Sequence, residues 1–221
     1  MVATRPEAVC LLSNNRWVIV RKREGEVAAR AEDRRIQRTQ QLLRSALLSL
    51  IQEKGFEALS VQDIIDRANV GRATFYAHFD NKEDLLASGI EGLRASLKER
   101  QRLALSQSTT TDDALFGFSH ELFVHANEHR NVFQAMVGKR SGAVIQQLLH
   151  KMLVDLARDE VKAIARRGGE AMPPEAVVQY VAGGLFGLLM WWGNGKMRMP
   201  VEEVDAVFRQ LAIPALKAAL R

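Results

Sequence analysis

The chain has 221 residues and a formal net charge of +5, from 31 Lys and Arg against 26 Asp and Glu. Its 47% hydrophobic and 26% charged residues are close to the average for soluble globular proteins, which excludes bulk disorder and a collagen-like structure. The single cysteine, Cys10, cannot form an internal disulfide or a thiolate metal cluster. These features predict one domain of ordinary size, or two small ones, in a reducing, cytoplasmic setting.

Two apolar stretches fall short of an export or membrane signal. Residues 9–12 are too short a run for the core of a signal peptide. Residues 180–193 are 14 residues without a charge or an amide, whereas about 20 are needed to cross a bilayer. We therefore predict no membrane segment and interpret residues 180–193 as a buried helix.

The positive charge is concentrated at the start of the chain. Residues 1–44 contain ten basic and five acidic side chains, so the net charge arises there. Such a segment is either a solvated basic arm or part of a phosphate-binding surface, since Lys and Arg release counterions from a nucleic-acid backbone. Residues 1–30 show no sustained period, and pairing of residues 9–12 with 17–20 would give only a marginal hairpin. We predict an irregular basic extension over residues 1–30.

Helical periodicity begins at about residue 32 and defines a first helix. Its apolar residues recur at spacings of three and four and form one face: Leu43, Ala46, Leu47, Leu50 and Ile51. Gly55 can end this helix as a C-terminal cap. A second helix begins at Ser60, where Asp63 completes a pattern that resembles a capping box, and it stops at the Asn-Val-Gly of residues 69–71.

A short third helix and a longer fourth helix follow. The third is predicted over residues 72–79, and Asp80 and Glu83 are predicted to cap the fourth, which continues to about residue 105. The polar residues 106–111 then separate two units.

Five further helices are predicted in the second unit, with Gly and Pro marking their ends. They cover roughly residues 112–127, 130–138, 141–167, 174–193 and 201–220. No strand pattern occurs after residue 30, so the predicted fold class is all-α, with about nine helices.

The second and third helices have the form of a helix-turn-helix, because two short helices are joined by a tight turn that contains Gly. The side chains predicted to lock them together are Ile64, Ala68, Val70, Phe75 and Phe79. Arg72, Ala73, Tyr76 and Ala77 would then face outward. A face of this kind can enter a DNA major groove, where Arg can bond to guanine and Ala can touch a thymine methyl.

The segment from Leu59 to Leu86 resembles the DNA-binding signature of the tetracycline-repressor (TetR) family of bacterial regulators. The likeness covers about 50 residues from Arg38 onward, and its most specific part is the Thr-Phe-Tyr-Ala-His-Phe of residues 74–79, followed by Lys82. It implies an all-helical homodimer whose N-terminal unit reads a palindromic operator on double-stranded DNA and whose C-terminal unit binds a small molecule. The implied function is a transcriptional regulator, most often a repressor, and not an enzyme; no cofactor or metal is implied.

The resemblance also implies which side chains approach the bases. Arg72, Ala73 and Thr74 would face bases or the adjacent backbone. The sequence departs from the family pattern twice, with Gly71 where Ser or Thr is common and Ala73 where Gly is common. Gly71 remains an acceptable N-cap, whereas the Ala73 methyl alters the face toward DNA.

Other side chains are implied to hold phosphates. Tyr76 and His78 would contact the DNA backbone, and Ser60 would present its hydroxyl and nearby N–H groups to another phosphate. Lys82 would anchor the fourth helix, since a cation in a first helical turn opposes the helix dipole unless an anion lies beside it.

Four regions are predicted on this basis. They are an irregular extension over residues 1–30, a helix-turn-helix DNA-binding domain over residues 31–81, a connecting helix over residues 82–105, and a ligand-binding and dimerisation domain over residues 106–221.

The second unit is rich in aromatic and sulfur-containing side chains, which would suit a hydrophobic or aromatic ligand. The residues predicted to line its pocket are His120, Phe123, Phe133, Met152 and Trp191. Gly183, Gly184 and Gly187 each lower helix propensity by about 1 kcal/mol relative to Ala, and close approach of a partner helix would offset that cost. We therefore predict a homodimer that pairs the last two helices.

Two alternatives from other classes remain open. Glu121, His125 and His129 recur every four residues on one helical face and could serve a metal protein or an enzyme, although no second helix supplies an obvious ligand cluster. The basic arm would also suit a nucleoid-type protein that binds DNA without sequence preference, which would not need Arg72 on a recognition helix.

Overall fold

The fold is taken from a computed structural model, which describes residues 12–13, 16–17, 22–107, 111–137, 143–165 and 172–219. Within these residues it is all-α, as predicted, apart from one two-residue antiparallel pairing of β1 and β2. The elements are β1 (Leu12–Ser13), β2 (Arg16–Trp17), α1 (Lys22–Lys54), α2 (Val61–Ala68), α3 (Arg72–Tyr76), α4 (Lys82–Gln107), α5 (Thr111–Ala114), α6 (Ser119–Glu128), α7 (Arg130–Val137), α8 (Ala143–Ala165), α9 (Pro174–Asn194) and α10 (Val201–Ala219).

The chain divides into two compact units, Met1–Leu42 and Leu43–Arg221, and the division falls within α1. In the first unit Leu12 pairs with Trp17, and Ser13 with Arg16, so the short pairing lies at the centre of the predicted hairpin, whose remaining residues lie outside the described part. The prediction of an irregular extension to residue 30 is wrong for residues 22–30, which are helical. Their Lys, Arg, Glu and Ala favour helix without forming an apolar stripe, so periodicity alone did not reveal them.

The second unit contains two apolar cores. The first packs α1, α2 and α3 together and contains the fully buried Leu43, Ile51, Ile64, Phe75 and Leu85. The second lies among α4, α6, α8, α9 and α10, where α8 and α9 pack against each other along their length. Helix α4 belongs to both cores, because Leu85 and Leu86 are buried in the first and Leu97 in the second.

Helix α9 is long and apolar enough, by length and composition, to cross a membrane. It packs against α8, α10 and α7, and its face toward them carries buried residues such as Val178, Ala182 and Leu189. One such helix is weak support for a membrane span, and its packing fits the predicted core helix.

The predicted helix over residues 112–127 is broken between α5 and α6. Phe116 lies there with a positive φ of 53°, and a Cβ on the next residue, Gly117, would collide with Ala104 on α4. Polar groups from neighbouring helices hold the turn, since the Gln101 amide donates to the Ala114 carbonyl at 3.0 Å and Arg209 donates to the carbonyls of two residues of this segment. Tertiary packing therefore stops a helix that the local pattern would continue.

One carboxyl group is buried beside this turn. Glu160 on α8 is 4% exposed, one of its oxygens accepts the Phe116 N–H, and its Oε1 has no hydrogen-bond partner within the described residues. Burial raises the pKa of Glu160 to about 7, with the Phe116 N–H and the positive charge of Arg209 offsetting part of the effect.

We expect this carboxyl to make folding pH-dependent. Its folded pKa lies above its unfolded value, so its contribution is complete below about pH 4.5 and is lost as the pH rises through about 7. Glu160→Gln should abolish that loss. Between pH 4.5 and pH 8 the free energy of unfolding of the variant should therefore rise, relative to that of the wild type, by on the order of 3 kcal/mol. Urea unfolding at both pH values measures it; a difference that does not vary with pH would contradict the buried, protonated carboxyl.

Candidate nucleic-acid interface

The start of α2 is fixed by a reciprocal cap between Ser60 and Asp63. The Asp63 N–H donates to Ser60 Oγ at 3.2 Å, and the Ser60 N–H and hydroxyl donate to Asp63 Oδ2 at 2.8 and 2.6 Å. This confirms the predicted capping box, with Asp in the place of Glu. Because the hydroxyl proton goes to Asp63, Ser60 has no free hydroxyl donor, and its predicted contact with a phosphate would rely on the first N–H groups of α2.

Charged partners flank that cap. The Lys54 ammonium lies 2.8 Å from Asp63 Oδ1, and it and the Ser60 donors hold the pKa of Asp63 well below its usual range. Arg67 forms a bidentate pair with Glu53 at 2.7 Å and also donates to Ser49. These pairs join α1 to α2, so the charges of Lys54 and Arg67 already have partners within the protein.

The turn between α2 and α3 depends on Asn69. This residue ends α2 in the left-handed region, with φ 51° and ψ 49°, which Asn tolerates better than most side chains. Gly71, in contrast, is extended, with φ −74° and ψ 151°, and a Cβ there would meet only Thr74 Oγ1 at 3.6 Å. Gly71 is the N-cap of α3, as predicted, but the turn does not require it to be glycine.

Two phenylalanines attach α3 to the core. Phe75 is fully buried and Phe79 is 5% exposed, with ring centroids 6.1 Å apart. The helix itself is shorter than predicted and ends at Tyr76, after which the N–H groups of His78 and Phe79 both donate to the Phe75 carbonyl at 2.9 Å. Phe79 therefore enters the core from a turn.

The side of α3 that is turned away from the core is exposed. Arg72, Ala73, Tyr76 and Ala77 are all exposed, as the sequence predicts, and Tyr76 is 47% exposed. The Arg72 guanidinium lies 5.8 Å from the Tyr76 ring centroid, while that ring meets Phe75 edge-on at 5.3 Å. No carboxylate of the described residues forms an ion pair with Arg72, so its donors remain available to an external acceptor.

Thr74 and His78 are half-buried at the edges of this face. The His78 ring lies 6.3 Å from the Phe79 ring, a position that allows it to shield the core as well as to reach a ligand.

Lys82 has protein partners of its own. Its Nζ donates to the carbonyls of Leu59 at 2.8 Å, Phe56 at 3.0 Å and Glu57 at 3.3 Å, and it lies 4.7 Å from the centroid of the Phe56 ring. Three donors thus meet three carbonyls of the loop before α2, and a contact of Lys82 with a phosphate stays a prediction.

The cap of α4 differs from the predicted one. Asn81 Oδ1 accepts the Asp84 N–H at 2.8 Å, and Asp84 Oδ2 accepts the Asp80 N–H at 3.2 Å. Asn81 therefore caps α4 in place of Asp80, and Asp84 accepts a backbone N–H in place of Glu83. The cap lies one residue later along the chain than predicted.

The five residues predicted to line an effector pocket do not come together. Phe123, Phe133 and Met152 are buried in the second core, where the Phe123 ring meets Trp192 edge-on at 5.5 Å. His120 is exposed beside Asp205 at 4.0 Å, and Trp191 is 55% exposed on α9. Three of the five side chains therefore share the second core and two lie at the surface, and their role in effector binding stays a prediction.

A cleft between α4 and α8 has a volume of about 340 Å³, within the range of small-molecule sites. Of the predicted pocket residues only Met152 lines it. Its other lining residues include Ile90, Arg94, Leu148, Lys151 and Asp155. Sequence reasoning missed them because they come from two distant helices and form no local motif.

Two of the three residues predicted as possible metal ligands lie close together, and the third does not. His125 and His129 have ring centroids 4.6 Å apart. Glu121 instead pairs with Arg100 at 3.3 Å. The carboxylate that lies close to both histidines is that of Glu128. Burial, and then the positive charge of His129, lower the pKa of His125, with Glu128 and Glu121 offsetting part of the effect. The spacing His-x-x-Glu-His could have identified Glu128 from the sequence.

Comparisons with known proteins match both parts of the chain. A family model described as bacterial regulatory proteins of the tetR family matches residues 43–88, and a TetR C-terminal model described as transcriptional regulator C-terminal region matches residues 113–213. The uncharacterized HTH-type transcriptional regulator YxbF of Bacillus subtilis is 34% identical over 113 residues, which are 47% of this chain and 30% of that protein. The matched stretch thus spans less than a third of that relative.

Solved structures share the fold. The putative TetR-family regulator from Syntrophomonas wolfei has a TM-score of 0.69 at 19% identity, over 82% of this chain and 96% of that one. The regulator FadR from Bacillus subtilis, solved with stearoyl-CoA, has a TM-score of 0.63 at 19% identity, over 78% and 96% of the two chains. With both family models and this fold, the chain belongs to the TetR family of DNA-binding transcriptional regulators.

Proposed function

We propose that this protein is a homodimeric repressor that binds a palindromic operator through α3 and is released from it by a small molecule in the cytoplasm. The observation that carries the proposal is the exposed face of α3, where Arg72 lacks an ion pair among the described side chains while nearby Lys54 and Arg67 are engaged. An arginine presented in this way can bond bidentately to guanine in a major groove.

The surrounding residues fit roles in positioning. Ala73 and Thr74 lie beside Arg72 and would approach base edges, with Gly71 close to the backbone. Tyr76 and His78 would contact phosphates, with the N–H groups after Ser60 as a further phosphate site. We assign Lys82 to holding the loop before α2, because its three donors are already used within the protein.

An uncharged stripe supports dimerisation through α9 and α10. On α9 the exposed residues Tyr180, Gly184, Gly187 and Trp191 follow one another at spacings of four, three and four. On α10, Leu211 is 63% exposed. A Cβ at Gly183, Gly184 or Gly187 would meet nothing within 4 Å in the protomer, so packing within the chain does not account for these glycines. A second copy whose helix approaches closely would account for them.

We place the effector in the cleft between α4 and α8. Its lining combines Ile90, Leu148 and Met152 with the charged Arg94 and Lys151, which suits a ligand with an apolar or aromatic body and a polar group. FadR from Bacillus subtilis has a related fold and was solved with stearoyl-CoA, which is compatible with an apolar ligand in this protein. At 19% identity, the likeness is one of fold alone.

Helix α4 would carry the response. It pairs with α8 through Lys98 and Asp159 at 2.7 Å and through Arg94 and Asp155 at 3.7 Å, beside the cleft. At its other end Leu85 is buried against the helix-turn-helix. A ligand that favours a different tilt of α4 would change the separation of the two α3 helices in the dimer and weaken operator binding. The proposed division into a DNA-binding domain (31–81), a connecting helix (82–105) and a ligand-binding and dimerisation domain (106–221) follows from this scheme.

Arg72→Ala tests base recognition. We expect the variant to lose about 1–3 kcal/mol on operator DNA and to tolerate any base at one position of each half-site, while its binding to random DNA changes little. Arg67→Ala is the matched control, because Arg67 lies in the same motif but pairs with Glu53. Competition binding against operator variants measures both; an equal loss on all sequences would favour a DNA-binding protein without sequence preference.

Lys82→Met tests the role of the lysine. We expect the loss of three hydrogen bonds to lower the free energy of unfolding by about 1.5–3 kcal/mol and to leave the salt dependence of DNA binding unchanged. Lys98→Met, on the same helix, should have a small effect because its pair with Asp159 is exposed. Unchanged stability with a salt slope reduced by about 0.9 would instead assign Lys82 to a phosphate.

Gly184→Leu combined with Gly187→Leu tests the dimer. Within a protomer both side chains would project into open space and raise helix propensity, so each protomer should become more stable by roughly 1 kcal/mol per site. The dimer should dissociate, because the partner helix can no longer approach. Sedimentation and urea unfolding separate the two effects, with Gly89→Leu on α4 as the control. A stabilised protein that remains dimeric would place the interface elsewhere.

A further inference from the structure

The end of α6 brings two imidazoles and a carboxylate together. His125, Glu128 and His129 each place one potential ligand atom within 4.8 Å of the others. The spacing of three and four residues sets all three on one side of the last helical turn, and the two rings are tilted by 56° at a centroid distance of 4.6 Å.

These three side chains are free of other partners in the part of the chain that the structure describes. Within the described residues none of them forms a hydrogen bond or ion pair through its side chain with another residue. The neighbouring groups are committed, since Glu121 pairs with Arg100 and the Arg130 guanidinium donates to Asn127 Oδ1 at 3.2 Å. Glu128 and His129 are exposed and His125 is half-buried, so an ion could reach the cluster from solvent.

We propose that His125, Glu128 and His129 form a binding site for a transition-metal dication of the Zn²⁺ type. Two imidazoles and one carboxylate are a ligand set that zinc accepts, with a fourth position left for water. Mg²⁺ and Ca²⁺ prefer oxygen ligands throughout and would be poorly served here. The C-terminal end of a helix adds a favourable field for a cation, since its last carbonyls carry partial negative charge.

Binding would strengthen the junction of α6 and α7. His129 is the residue between them, and its N–H donates to the His125 carbonyl at 3.1 Å while its carbonyl accepts the Phe133 N–H at 2.9 Å. A metal ion that joins His129 to His125 and Glu128 would therefore restrain this bend. The inference is independent of the proposed operator and effector.

Zinc titration of the full chain, purified without a histidine tag and freed of metal, tests the site. We expect one Zn²⁺ per chain by calorimetry, together with a higher melting temperature, and no corresponding effect of Mg²⁺. His129→Ala and Glu128→Gln should each weaken zinc binding at least about tenfold. Both residues are exposed, so the variants should fold as wild type, which circular dichroism checks.

His120→Ala is the matched control, because His120 lies on the same helix but beside Asp205. It should bind zinc as wild type does. The proposal is overturned if the wild-type chain takes up no Zn²⁺ at about 100 μM, far above the dissociation constants of structural zinc sites. It is equally overturned if His129→Ala and Glu128→Gln bind zinc with unchanged affinity and stoichiometry.

Discussion

The burial of Phe75 is the constraint on which the DNA-reading face depends. Helix α3 has only five residues, and an isolated helix of that length is not stable in water. With Phe75 fully buried and Phe79 beside it, the helix is held by its side chains rather than by its own hydrogen bonds. The same anchoring leaves Arg72 and Tyr76 exposed to solvent. Asn69 and the Lys82 contacts fix the two ends of the motif, so the exposed face is presented in one orientation.

Helix α4 gives that motif a connection to the rest of the second unit. Leu85 near the start of α4 and Leu97 beyond its middle are both fully buried, so one continuous helix is packed into both cores. The cleft between α4 and α8 lies between those two anchoring points. A ligand in this cleft would act on α4 between its two buried contacts. Packed cores change between discrete arrangements rather than deforming smoothly, so a shift of α4 in one core would disturb the other core.

Local signals predicted much of this structure, and long-range contacts account for what they missed. The helical periods, the capping box at Ser60 and the outward set on α3 follow from spacing alone, and the structure agrees with them. The break between α5 and α6 follows from Ala104 and Arg209, which lie far from it in sequence. The partners of Lys82 were missed because carbonyl acceptors have no residue signature. The position of a ligand pocket does not follow from aromatic content, because that content does not distinguish a buried core residue such as Phe123 from an exposed one such as Trp191.

The central claim is that two copies of α3 read a symmetric DNA site. The most direct measurement is a footprint of the purified protein on the DNA upstream of its own coding region, at physiological ionic strength, where non-specific phosphate binding is weak. The account predicts protection of a palindrome whose half-sites are separated by a whole number of helical turns. If neither that region nor a random-sequence library yields a protected or enriched site, sequence-specific recognition by α3 is contradicted.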